Sequence, residues 1–552
     1  MLLSRLHIRN FRGIGRIDLD LAPTTVIIGE NNCGKTSVLD AIAIALGKAC
    51  TGAHCPFEAL DFHRPPGAPA DHKPEPIRIV LELAERNAGE WSEVLVKPYG
   101  AAVQTLRDGR RVLRFQVVGE RENAPPVRRF LDFDDRPVEG VDHDALAQQL
   151  PRGLRALHFG AHRTLWSDVH AALRADRPER EQVRRDRFHA LYESLVDPAA
   201  RTPEFEAELR RSGELLSLAS GLVDQEQSSD RITELLLSQL GAITTDSGAE
   251  MPLSHLGKGT QTIMLLLLLG SMLQVATVDD PLPGAGSLVA LEDPEAHLHP
   301  RLVASLWRVV EGMRAQRLVV THSGDFLAAI PIESIRVLRR RGTTIETHAL
   351  SRSRLTPDEI RRVAYHVVNR RGTLLFARCW LLVEGETEFW LLPEMARVAG
   401  HDFATDGVAV VEFAQSGLPP LIRAAESLGI EWHVLADGDD AGRKYADDAI
   451  EAAGDTPIDT RLTHIQEQDI ERMLWSAGYD HVFRGAAYGA RSAHRPRRSE
   501  RPVQVIRRAV ANTSKPHLAL AVLDAANDAE SPGVPEPLQR AISAAVRLAA
   551  GA

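Results

Sequence analysis

The sequence predicts an α/β protein with two separate sheet-bearing regions and a helix-rich stretch set into the first. Three observations carry that expectation. Residues 24–46, TTVIIGENNCGKTSVLDAIAIAL, run strand, glycine loop, helix. Residues from about 168 to 245 shift to charged helix formers such as RPEREQVRRDRFHALYESL. From 377 onward apolar strands alternate again with helices, as in CWLLVEGETEF, VAVVEF and WHVLADGDDAG, which implies a small parallel sheet. A chain of 552 residues exceeds one ordinary core. The pattern places segments at 1–165, 166–245, 246–370 and 371–552.

The strands at the start follow from alternation. LSRLHIRNF and IDLDL precede the glycine loop, and IRIVLEL (77–83) and RVLRFQVV (111–118) follow it between proline-rich loops. With 44% hydrophobic and 25% charged residues the chain reads as soluble and globular. A net charge of −10 argues against indiscriminate coating of nucleic acid and leaves any DNA contact to a local basic groove. Four cysteines are too few and scattered for a disulfide framework, which fits a reducing cytosol, so a cytoplasmic location is expected. Cys50, His54, Cys55 and His63 match no closed zinc spacing. The N-terminus lacks a basic-then-apolar signal arrangement, and the most apolar run, 263–276, is too short for a bilayer and reads as a buried helix. No membrane partner is expected.

GENNCGKT, Gly29 to Thr36, fits the phosphate-loop pattern in its required strand-to-helix context. Backbone N–H groups at the helix start would hold phosphates. Gly29, Asn32, Gly34, Lys35, Thr36 and Ser37 are the expected ATP contacts, with Lys35 on the β/γ oxygens and Thr36 on a magnesium ion. SLVALEDPEAHLHP (287–300) supplies the hydrophobic strand ending in acids. Glu292 takes the magnesium-side position and Asp293 that of the base polarising the attacking water. The usual order is aspartate then glutamate; the reversal shortens the base and predicts slow hydrolysis. His297 and His299 fit a turn better than a metal site. His322, ending RLVVTHS, suits a γ-phosphate sensor.

LADGDDAG (435–442) places Asp437, Asp439 and Asp440 together at the end of an apolar strand, where like charges repel unless solvent or a cation screens them. LLVEGETE (381–388) ends another strand with Glu384, and Glu388 lies one helical turn later on the same side. Glu384, Glu388, Asp437 and Asp439 would converge at the carboxyl edge of a parallel sheet. Oxygen ligands without cysteine select Mg²⁺ or Mn²⁺. Exposed acids at loop starts, with Glu388 answering its helix dipole, are the plainer alternative.

Two resemblances sharpen this picture. HLGKGTQ (255–261), with Gly257 and Gly259, resembles a divergent signature motif of the ABC ATPase superfamily when it stands between phosphate loop and acid strand; that resemblance implies a dimer closing each nucleotide site. Gln104 is a candidate for the glutamine loop. A glutamate after one strand and Asp-x-Asp after a later one resembles the Toprim domain of topoisomerases, primases and nucleases, and QEQDIERML (466–474) resembles the stretch bringing a further acid, so Asp469 and Glu471 are metal candidates or simply a helix start. An ABC-type ATPase domain with a helical insertion, followed by a Toprim (parallel-sheet, Rossmann-like) domain, is similar to the overcoming-lysogenisation-defect (OLD) nucleases, whose relatives include the nuclease subunit of the Gabija anti-phage system. The resemblance implies DNA cleavage with two metal ions at the Toprim site and one with the nucleotide, in phage defence or repair. It also implies a lysine after the acids, for which Lys515 in NTSKPHLAL is the candidate, and for some relatives a helicase partner.

Residues 484–508 hold eight arginines and one acid, a solvated face or a contact for DNA phosphates. Two other readings remain: an ATPase that organises or repairs DNA without cutting, and a defence ATPase acting on RNA. Primase lacks a zinc-binding cysteine cluster here, and topoisomerase lacks a tyrosine in an obvious attacking context.

Overall fold

The computed structural model describes residues 1–46, 57–159 (except 66, 68, 70–72 and 121–123), 242–244, 250–252, 259, 262, 266, 284–489 (except 371 and 415) and 501–551 (except 529 and 530). The chain divides into two compact units, Met1–Thr347 and His348–Ala552.

The first unit contains β1 (Leu2–Phe11), β2 (Ile14–Asp20), β3 (Thr24–Gly29), β4 (Ile77–Ala84), β5 (Val103–Thr105), β6 (Arg111–Gly119), β7 (Val127–Leu131), β8 (Leu154–Phe159), β9 (Ala242–Thr244), β10 (Glu250–Pro252), β11 (Gly286–Glu292), β12 (Gln316–Val320), β13 (Ile335–Arg341) and β14 (Thr344–His348). Its principal helices are α1 (Lys35–Leu46), α2 (Pro300–Gly312) and α3 (Gly324–Ala328). Twelve strands form one mixed sheet in the order β5-β6-β4-β1-β2-β14-β13-β3-β12-β11-β8, with β7 also on β6; β9 and β10 pair separately.

The two halves of the sheet follow different sequence rules. β13, β3, β12, β11 and β8 are parallel, and Leu288–Leu291 in β11 form an unbroken buried run, as a strand covered on both faces requires. β1 pairs antiparallel with β2 and β4, burying Leu6 and Ile8 while Arg5, His7 and Arg9 face outward. Buried Gln316 ties the halves together: its amide accepts from Leu3 N (2.9 Å) and donates to Leu3 O (2.7 Å). α1 lies inside the resulting core with Val38, Leu39, Ala41 and Ile42 buried.

The second unit contains β15 (Cys379–Val383), β16 (Val408–Glu412), β17 (Glu431–Ala436) and β18 (Leu462–His464), a parallel sheet in the order β16-β15-β17-β18. CWLLV of β15 is wholly buried. The surrounding helices are α4 (Pro357–Asn369), α5 (Glu386–Val398), α6 (Leu418–Ser427), α7 (Asp440–Ala453), α8 (Ile470–Leu474), α9 (Asp480–Tyr488), α10 (Pro502–Asn512), α11 (Lys515–Ala526) and α12 (Glu536–Gly551). Glu359 of α4 pairs with Arg423 of α6 at 2.5 Å, so by packing this unit opens ahead of the boundary at 371 that the strand pattern suggests.

Several sequence expectations fall outside the described residues: the helical insertion at 166–245 apart from β9, the apolar run at 263–276 apart from buried Leu266, the cysteines Cys50 and Cys55 with His54, Gly257, and the arginine-rich stretch at 490–500. Among the described residues, no helix is long and apolar enough to cross a membrane.

Candidate functional site: a phosphate loop and an acid cluster

In the first unit three chemistry-bearing loops leave adjacent parallel strands at one level. The phosphate loop follows β3, Thr321 and His322 follow β12, and Glu292 ends β11; the register aligns Ile27 with Val320 and Val320 with Glu292. Asn32 (φ 68°) and Gly34 (φ 77°) turn the loop through left-handed backbone. A Cβ on Gly34 would sit 2.7 Å from Ile14 Cγ1, so only glycine fits between loop and β2. Lys35 Nζ donates to the carbonyls of Gly29 (2.9 Å) and Glu30 (2.7 Å), within its own loop. Ser37 follows on α1.

Thr36 and Glu292, 256 positions apart, are joined by a hydrogen bond from the threonine hydroxyl to Glu292 Oε1. Asp293 (φ 42°) has its N–H on Val320 O at 2.9 Å. Burial raises the Asp293 pKa, helped by Glu292 and opposed by His322 and Lys35. Its Oδ1 is buried without a hydrogen-bond partner. Burial and Lys35 together lower the His322 pKa, which favours neutral imidazole. The phosphate-loop residues, Glu292, Asp293 and His322 therefore stand together here, while Gly257 lies outside the described residues. Gly259 packs against the loop that follows Asp293, where a Cβ would stand 2.8 Å from His297 O.

One expectation is corrected. Gln104 lies on edge strand β5, with six strands between it and β3 along the sheet, and its amide donates to Leu131 O at 3.0 Å; it is not part of the phosphate loop's surroundings. His63 is structural, its Nδ1 bonding Arg12 O at 2.7 Å. Glu295 went unread in LEDPEAHLHP. It is buried, Thr321 donates to its Oε1, and burial raises its pKa. His158 on β8 was missed too: burial lowers its pKa, opposed by Asp40 and Glu292. Neither has a local sequence signal, since strand pairing alone brings β8 beside β11.

In the second unit the acids gather at the carboxyl edge of the parallel sheet. Glu384 follows β15, Asp437 follows β17, and α5 returns Glu388 to the same edge, where it is buried. A Cβ on Gly442 would stand 1.9 Å from Asp437 O, so the second glycine of DGDDAG lets α7 start against the strand end. Asp439 caps that helix, accepting from Gly442 N at 2.7 Å, while Asp440 is exposed beside Arg443.

The electrostatics of the cluster are unfavourable. Burial pushes the Asp437 carboxyl up to about 8, with Glu388, Glu384, Glu471 and Asp469 adding to the rise. Burial likewise pushes Glu388 up to about 7, with Glu471 and Glu384 contributing. Glu384 is raised by burial and then by Asp439, and its Oε2 is buried without a hydrogen-bond partner. Among the described residues two side chains answer the buried Glu471: Lys515 Nζ at 3.2 Å and the Thr387 hydroxyl, which donates at 3.3 Å. Burial opposes the charge on Lys515, yet Glu471, Glu388 and Asp437 raise its pKa overall. Asp469 instead caps α8, accepting from Arg472 N at 2.8 Å.

Among the described residues no three His, Cys, Asp or Glu side chains already stand at metal-ligand spacing. The donor chemistry nevertheless fits a hard divalent cation: only carboxylate oxygens, one of them orphaned, and too few donors to neutralise them.

A mixed sheet carrying a phosphate loop, followed by a Toprim domain with a parallel sheet, defines the class. A family model described as "Overcoming lysogenization defect protein-like, TOPRIM domain" matches residues 375–439. One described as "Protein of unknown function (DUF2813)" matches residues 1–373, and the chain belongs to that family. It is 31% identical over 567 residues to "Uncharacterized protein YbjD" of Escherichia coli (strain K12), covering 100% of both chains. It is also 23% identical over 472 residues to the "OLD nuclease" of Thermus scotoductus, covering 79% of this chain and 82% of that one. The solved C-terminal region of the Burkholderia pseudomallei OLD protein aligns at 19% identity over 32% of this chain and 99% of its own, with a TM-score of 0.27 that carries no weight. These relatives place the chain among ATPase–Toprim proteins related to OLD nucleases.

Proposed function

We propose that the protein is a DNA endonuclease or nickase that depends on Mg²⁺ or Mn²⁺ and is regulated by ATP at the phosphate loop. One observation carries the reading: Glu384, Glu388, Asp437 and Glu471 share a sheet edge with Lys515, where burial, reinforced by the neighbouring carboxylates, pushes Asp437 up to about 8. A divalent pair, when bound, supplies an activated water and stabilises the departing oxygen. Glu384, Asp437 and Asp439 are the principal ligands, with Glu388 and Glu471 behind them. Lys515 orients Glu471 and offers positive charge to the phosphate. Asp469 supports the edge as a helix cap rather than as a ligand.

Lys35, Thr36 and Ser37 hold the nucleotide phosphates, Glu292 shares a magnesium ion with Thr36, Asp293 orients water, and His322 senses the γ-phosphate. Partners on this reading are DNA, a second copy closing each nucleotide site through Gly257 and Gly259, and a helicase; the place of action is the cytoplasm, in phage defence or repair. Incubating plasmid with each metal and nucleotide tests it: wild type nicks and Asp437→Ala does not. A chain that cuts no DNA under any combination overturns it.

A non-cleaving ATPase is the second reading. It is favoured by the helix-capping bonds of Asp439 and Asp469, which occupy one oxygen of each. Metal-dependent DNA retention without cutting would support it, and preferential cleavage of tRNA would instead support an RNA substrate.

A further inference from the structure

Arg370, just beyond α4, is a half-buried cation that closes no ion pair among the described residues. Its guanidinium lies over the Phe389 ring at 3.7 Å from the centroid. Phe389 packs on the core of the second unit and immediately follows Glu388. Other stacked arginines in this unit differ. Arg461 over Trp432 and Arg484 over Trp475 also close ion pairs, with Glu431 and Asp480, while Arg508 over Tyr488 is exposed. The Arg370 guanidinium closes no ion pair and makes no hydrogen bond among the described residues.

Position gives this a meaning. Burial lowers the Arg370 pKa, and Glu412 is the acid whose field opposes that. Glu412 ends β16 and pairs with Val383, the residue before Glu384. Arg370 is thus fixed to the same sheet edge as the acids, through Phe389 on one side and the end of β16 on the other. A half-buried charge without a partner is costly, and a flat guanidinium held on a ring is preorganised for the fork-shaped contact it makes with phosphate.

We propose that Arg370 binds a non-scissile phosphate of the DNA strand whose scissile phosphate meets the acid cluster. This rests on the nuclease reading and adds a binding subsite to it. A nucleic-acid strand carries phosphates at regular spacing, so a strand laid across the sheet edge offers one to the acids and a neighbour to Arg370. The cation then sets the register of the strand against the cut.

The test is binding of a DNA duplex to the full chain in Ca²⁺ over a salt series, using wild type, Arg370→Gln, Arg370→Lys and Phe389→Leu. Arg370→Gln is expected to weaken binding about tenfold and to flatten the log affinity against log salt slope by about 0.9, the loss of one phosphate contact. Arg370→Lys keeps the slope, and Phe389→Leu weakens binding with the slope preserved. In plasmid nicking, Arg370→Gln raises KM for DNA by a similar factor. Unchanged affinity and slope in Arg370→Gln, with wild type nicking and Asp437→Ala inactive, overturns this subsite and leaves the nuclease reading standing. A wild type that neither binds nor nicks DNA overturns both. Loss of fold in Arg370→Gln, seen as a lowered Tm, moves the decision to Phe389→Leu, which must weaken DNA binding; unchanged affinity in folded Phe389→Leu overturns the subsite.

Discussion

The phosphate loop and the acid cluster both sit at carboxyl ends of parallel strands, yet their charges are balanced differently. In the first unit opposite groups bond each other: Lys35 folds onto the Gly29 and Glu30 carbonyls, and Thr36 onto Glu292. In the second, several carboxyls face one ammonium and one hydroxyl among the described residues, and burial together with their mutual repulsion pushes two of them up to about 7 and about 8. A site with balanced donors and acceptors can close on itself. A site of like charges can be relieved only from outside, by protons or by a cation. The contrast explains why the two sites should respond separately to mutation, pH and metal.

The strongest way to break that contrast is Asp437→Ala, which removes the most perturbed acid. Nicking should fall on the order of 100-fold or more, the scale set by losing a group that stabilises charge in a transition state; gel densitometry of nicked plasmid reads it. Residual cutting near wild type would mean that the cluster does not carry the reaction. Next comes Gly442→Ala, whose Cβ must displace the Asp437 carbonyl from 1.9 Å. Overpacking of this kind costs about 1–3 kcal/mol, measurable by urea unfolding, and activity should drop with it.

Lys35→Ala sharpens the independence of the sites. Nucleotide binding, followed by a fluorescent ATP analogue, should be lost, while the rise in Tm caused by Mn²⁺ persists; loss of both responses would show the sites to be coupled. The pH dependence follows from the direction of the shifts. Because Asp437 and Glu388 hold protons in the folded state that the unfolded chain has already released, raising the pH from about 5 through their folded values of about 7 and about 8 lowers the stability of the metal-free protein. The stabilisation given by Mn²⁺ should therefore be larger at pH 8 than at pH 5.5 in differential scanning fluorimetry, and Asp437→Asn should shrink the difference. The smallest effect separates two acids two residues apart: Glu471→Gln should slow nicking more than Asp469→Asn, since asparagine caps a helix as well as aspartate does. Equal losses would place Asp469 among the ligands after all.

Much of the fold was legible because the relevant forces are local. β11, β15 and β17 were readable as short apolar runs ending in acids, and the glycine loop was readable from its spacing between strand and helix. The hairpin β13–β14 and edge strand β5 were not, since their residues are mixed and their pairing is set by distant partners. Gln104 shows the cost of reading a residue type without its strand: a glutamine in an edge strand satisfies a neighbouring carbonyl instead of a nucleotide. Glu295, His158 and Arg370 were invisible for a related reason. Each is unremarkable in sequence, and only burial or stacking against a remote residue makes its charge consequential.

By itself the sequence determined which residues carry the chemistry: phosphate-loop spacing, strand-ending acids and the glycines of DGDDAG are all encoded within a few positions, where backbone geometry and side-chain type decide the outcome. Tertiary structure decided which of those acids oppose one another, that Glu471 rather than Asp469 meets Lys515, and that Arg370 lies stacked on Phe389. The physical reason is that desolvation and Coulomb energy depend on distance through the folded protein, and strand order brings together charges that the chain itself keeps far apart.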